Sequence, residues 1–198
     1  MTTRTLPDNL TLYSGGHRPD EGRMCVMEAV AWVAGEQHSD TPSCTNPVVA
    51  NFARTLNDRI SDDALRTRLL TPLIPDLLGH PASSPEIDRI LAFKCADYAV
   101  RQVAPRALDA AKLPDEASKL RALAPVTDQA AADAAYAAAD AAAYAAYAAD
   151  AAADAAADAA YAAAYAAYAA YAAAKEQEYE QAAAFLKELC AVAKGGPA

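Results

Sequence analysis

Apolar residues recur along the first half of the chain at helical spacing, and no segment shows the strict alternation of a half-buried strand. Residues Met24 to Ala34 are apolar on every side except at Glu28, which predicts a buried central helix stopped by Gly35 at its C′ position. A second helix is expected from Asn46 as N-cap and Pro47 at the first helical position, running to about Arg59 with Val48, Val49, Phe52 and Leu56 on its apolar face. Ser61 is read as the cap of a third helix, with Asp62 and Asp63 in its first turn and Leu65, Leu69 and Leu70 pointing inward. Pro72 and Pro75 reduce the next stretch to a short turn ending at Gly79. Ser84-Pro85 opens a fourth helix carrying Ile87, Ile90, Leu91, Lys94 and Tyr98, which Pro105 is expected to end. Shorter helices follow around Pro105 to Leu113 and Pro114 to Leu123. Residues 1 to 23, broken by Pro7, Gly15, Gly16, Pro19 and Gly22, read as irregular. The class predicted is all-α.

From Thr127 or Asp128 the pattern changes: neither glycine nor proline interrupts the chain before Gly195. The stretch is mostly alanine, the best helix former, so it is expected to be helical with little tertiary help. As one helix it would extend roughly 95–100 Å at about 1.5 Å per residue, too long for a compact domain. The expectation is therefore a helical N-terminal domain over 1–126, and over 127–198 either one very long helix or several in series. Asp133, Tyr136, Asp140, Tyr144, Tyr147, Asp150, Asp154, Asp158, Tyr161, Tyr165, Tyr168 and Tyr171 interrupt the alanine at steps of three or four, which puts them along one helix face as a stripe that drifts slowly, as it does at near-heptad spacing. Two packings fit that face. Either alanine packs closely against a neighbour and the stripe is wet, or the tyrosine rings are knobs whose phenols donate to the aspartates. Asp150, Asp154 and Asp158 in succession oppose a dry seam at mid-helix.

Composition narrows the function classes. The formal charge of −9 argues against nucleic acid and against an anionic membrane as partners. The aspartates make the alanine tract a poor membrane span. The opening MTTRTLPDNL has no basic n-region and no apolar h-region, so a secretory leader is not expected, and Cys25, Cys44, Cys95 and Cys190 read as reduced thiols of a cytoplasmic protein.

Residues 16 to 44 concentrate the candidate chemistry. Cys25, near a predicted helix N-terminus, could be a thiol nucleophile with His38 as base and Asp40 or Glu28 as orienting acid. His17, Cys25, His38 and Cys44 have the right ligand types for zinc but not the usual paired spacings, and no C-x-x-C or H-E-x-x-H occurs. The structural alternative is that Cys25 is a small core residue and that Glu28, alone on an apolar helix, is either paired with an arginine or histidine or has a raised pKa.

The wording GRMCVMEAVAWVAGEQHSD followed by NPVVANFARTLND resembles a family of actinobacterial and phage proteins of unassigned function, which continues into an Ala/Tyr/Asp tract and a closing amphipathic helix like Phe185 to Cys190. The resemblance implies that the tract is a regular part of the architecture, and it suggests a phage- or host-interaction setting. The leading expectation is a non-catalytic protein-binding or assembly protein, acting through the tyrosine and aspartate face on a protein partner or on itself, with no cofactor. A Cys25-centred thiol or zinc enzyme is the alternative, and a small-ligand-binding protein the second.

Overall fold

The computed structural model describes residues 4–7, 9–80, 84–154 and 164–195, and the side chains of these except over 144–178. Helices dominate the described residues. Among the described residues there is no strand, and one isolated parallel bridge joins Leu12 to Met24. The helices are α1 (Val26–Ala34), α2 (Pro47–Arg59), α3 (Asp63–Leu70), α4 (Ile74–Leu77), α5 (Pro85–Tyr98), α6 (Ala104–Ala110), α7 (Pro114–Arg121), α8 (Gln129–Asp154) and α9 (Ala164–Ala193).

Their ends follow local chemistry. Asn46 caps α2 by accepting from the amides of Val48 at 2.9 Å and Val49 at 3.4 Å, with Pro47 at a position that needs no donor. Gly35 closes α1 at φ 71°, a conformation that suits a residue without a Cβ. The cap of α3 is Asp62, which accepts from Leu65 N at 2.6 Å, one residue beyond the serine that the pattern suggests. Asp128 caps α8 through Ala131 N at 2.9 Å. Pro105 does not end the helix before it. A π-helical stretch, Ala99–Val103, carries the chain from α5 into α6, and Pro105 sits in the first turn of α6 directly after it.

The chain forms two compact units, 1–91 with 173–198 and 92–172. In the first, α1 is buried over most of its surface, as are Leu56, Ile60, Leu70, Ile74 and Leu77. The end of α9 belongs to this unit. Leu186, Leu189 and Cys190 are buried, Phe185 meets the Phe52 ring edge to face at 5.4 Å, and the Tyr179 hydroxyl donates to Arg59 O. The core of the second unit is Leu108, Ala117, Leu120 and Ala142, with Val100, Ala104, Leu113, Leu123 and Ala138 against it. Ala135 is buried as well, so the start of α8 packs through its alanines. Whether α8 and α9 are one helix depends on 155–163, which lie outside the described residues.

Candidate functional site

The first unit holds an irregular N-terminal segment in place with polar side chains. Leu12 is fully buried, and its N–H donates to Thr67 Oγ1 at 2.9 Å. Its carbonyl accepts from the buried Arg66 guanidinium at 3.2 Å. Arg66 also donates to Asn57 O at 2.7 Å, to Ile60 O and to Asp63. It thereby satisfies carbonyls that the end of α2 leaves without helical partners, where a cation is also favoured by the helix dipole. Asn57 binds Tyr13 O at 2.9 Å and accepts from Val26 N at 3.2 Å, while Asp58 accepts from Gly15 N at 2.7 Å.

That strap delivers His17 to Glu28, whose carboxylate has 1% of its surface exposed. Oε1 accepts from the His17 amide at 2.6 Å, and Oε2 accepts from the His17 ring Nδ1 at 3.0 Å and from the Cys25 amide at 2.7 Å. The last bond is the return arm of a capping box, from the glutamate at N3 to the N-cap amide. His38 approaches from the far side of the loop: its Nε2 lies 2.8 Å from His17 O and 3.4 Å from Glu28 Oε1. Burial alone would raise the Glu28 pKa, but the His17 and Cys25 amides and the His17 ring outweigh it, and the carboxyl is held below its ordinary value. Asp40 is at the rim of this cluster. A Cβ on Gly16 would stand 3.9 Å from both Asp40 Oδ2 and Glu28 Oε1, and Asp40 O accepts from Arg54 at 2.9 Å.

Of the proposed nucleophile set, the fold brings together Glu28 and His38, with Asp40 beside them. Cys25 meets Glu28 through both arms of the capping box, its amide on the carboxylate and its side chain on the Glu28 backbone amide, and among the described residues its sulfur has no bond to His38. Burial, with the Glu28 carboxylate adding to it, pushes the Cys25 thiol up to about 12, the reverse of the activation expected near a helix N-terminus. The zinc set does not converge either. Cys44 sits against Thr45, its Sγ 3.9 Å from the hydroxyl, and its thiol is also raised by burial. Among the described residues no group of three His, Cys, Asp or Glu side chains is arranged to hold a metal ion. All four cysteines are free.

The tyrosine and aspartate face shows its orientation where α8 begins. Tyr136 is 74% exposed, Asp133 and Asp140 are exposed, and the alanines at 135 and 142 are buried behind them. Tyr144, Tyr147, Asp150 and Asp154 lie on α8 and Tyr165, Tyr168 and Tyr171 on α9, but their side chains are outside the described residues, as are Asp158 and Tyr161 altogether. No described helix is long and apolar enough to cross a membrane.

Comparison with protein families, with curated proteins and with solved structures gives no match.

Proposed function

We propose that this is a non-catalytic assembly protein, and that its contact surface is the tyrosine and aspartate face of the alanine-rich tract, engaged by a second copy of the chain. The observation that carries the reading is Tyr136. Its large ring stands in water between two exposed carboxylates, while the alanines of the same helix supply the packing within its own unit. A tyrosine offers wide contact area at low entropic cost. The stripe is also chemically self-complementary, since phenols donate where carboxylates can only accept. The alanine background favours the helix that presents such a face.

The thiol-enzyme alternative gains nothing from Cys25, whose sulfur is buried and held as the neutral thiol. Sedimentation equilibrium on the full chain tests the assembly reading. The wild-type chain is expected to self-associate, and replacing Tyr136, Tyr144, Tyr147, Tyr165, Tyr168 and Tyr171 together by alanine to shift it to monomer without loss of helicity. A wild-type chain that remains monomeric, or a variant that associates equally well, overturns it.

A further inference from the structure

His80 ends the turn that follows α4, and both nitrogens of its ring are committed. Nδ1 receives the backbone N–H of Asn46 at 3.0 Å, so it must be an unprotonated acceptor. Nε2 lies 3.0 Å from Asp76 O, a group that can only accept, so Nε2 carries the proton. The backbone repeats the join, with His80 N donating to Cys44 O at 2.9 Å, and Thr45 Oγ1 adds a bond to Leu77 O at 2.8 Å. The ring is therefore fixed as one neutral tautomer, with 8% of the residue exposed. What it grips is the N-cap of α2, the positive end of a helix dipole.

We propose that His80 is a proton-operated latch, which in its neutral form fastens the Leu78–His80 turn to the start of α2 and on protonation releases it. A proton on Nδ1 would set two donors face to face and place a cation at a helix N-terminus. The charged neighbours reinforce this. Lys194, from the last turn of the C-terminal helix, adds positive potential at the ring, and burial disfavours the cation further, while only the bond to Asp76 O favours it; the imidazole is held below its ordinary 6.5. Asp76 on α4 touches the ring through its backbone carbonyl, and Asp88 on α5, which accepts from Asn46 Nδ2 at 2.7 Å, is the carboxylate at the same N-cap. The Cys44 thiol beside the turn and the Cys190 thiol on the C-terminal helix are both pushed up by burial, so neither supplies a compensating anion.

Backbone hydrogen exchange on the 15N-labelled full chain reads the latch at Asn46, with Ala53 in the middle of α2 as the control for global opening. Protection at Asn46 is expected to lie below that at Ala53, to be constant above pH 6.5 and to fall by up to about tenfold per pH unit below it, down to the folded-state pKa, while Ala53, which exchanges only on global opening, follows the same His80 linkage from its higher level. In His80→Asn, whose side-chain oxygen can still accept from Asn46 but cannot titrate, the dependence should vanish. A wild-type Asn46 amide whose protection does not change with pH, or the same fall in His80→Asn, overturns the proposal. Should that variant not fold, the ring 15N shifts of the wild type decide: an Nε2–H tautomer at neutral pH supports the latch, and an Nδ1–H tautomer or a charged ring refutes it.

Discussion

Glu28 holds His17 twice, through the backbone amide at 2.6 Å and through the ring at 3.0 Å. One buried carboxylate therefore fixes both the path of the N-terminal segment and the orientation of its imidazole, while the same group caps α1 through Cys25 N. Replacing it with glutamine keeps the volume but turns one acceptor into a donor facing an N–H. Glu28→Gln is expected to cost about 3 kcal/mol, from weakened charge-assisted bonds and an unsatisfied buried amide. A drop in the urea midpoint at unchanged slope is the measurement. A variant as stable as the wild type would show that the strap does not depend on this carboxylate.

The pH dependence of that contribution has a definite sign. The folded-state pKa of Glu28 lies below 4.5, so its stabilisation is complete above 4.5 and is lost as pH falls through the folded value. The stability gap between wild type and Glu28→Gln should accordingly narrow as the solution is acidified from about pH 5. Denaturant titrations at a series of pH values check this, and a gap that widens in acid would contradict it.

Arg66 carries an equivalent load at the other end of the strap. Arg66→Met leaves the carbonyls of Leu12, Asn57 and Ile60 without the guanidinium that now serves them, and is expected to cost roughly 3 kcal/mol. Arg66→Lys should recover little, because one ammonium cannot reproduce a planar fork that spans several carbonyls. Thermal unfolding of both variants tests the pair; full rescue by lysine would show that charge rather than geometry matters.

The thiols should be ordered by access rather than by position on a helix. With a pKa of about 12, Cys25 is thiolate at neutral pH only to the order of one part in 10⁵. Cys95 is pushed only to about 11 and is half-buried. Brief treatment of the native chain with iodoacetamide, read by peptide mass spectrometry, is expected to label Cys95 ahead of Cys25. Preferential labelling of Cys25 would restore the nucleophile.

How much of this was visible in the amino-acid order depends on the range of the interaction. The Asn46-Pro47 start and the Gly35 stop follow from one residue and its near neighbours, and the need of Glu28 for a partner follows from its apolar helix, while the choice of His17 and His38 as that partner is made by the fold. Asp62 displaces Ser61 as a cap by a single position, a difference that side-chain reach decides. Pro105 reads as a helix end, yet the chain passes through a π-helical stretch into α6 with the proline in its first turn. Arg66 gave no local sign of burial: it falls between Leu65 and Leu69, and its role is set by carbonyls of Leu12 and Ile60 brought near by the fold. His80, likewise, is defined by Asn46, 34 positions away. The docking of Phe185 to Cys190 on the first unit has a legible apolar face but no legible partner.

The alanine side of α8 provides the sharpest contrast to test, because sequence pattern alone left both packings open. Ala142 is 3% exposed and lies against Leu108, Ala117 and Leu120. Ala142→Phe must displace those neighbours and is expected to cost about 1–3 kcal/mol. Tyr136→Ala removes an exposed ring and places the better helix former there, so stability should change by no more than about 0.5 kcal/mol. Melting curves on dilute protein, where self-association does not contribute, compare the two directly. If Tyr136→Ala destabilised the chain as much as Ala142→Phe, the ring would be packing within its own unit and could not serve as the free half of an interface. The combination expected is a large loss at 142 with none at 136, and a loss of self-association only when the tyrosines are removed.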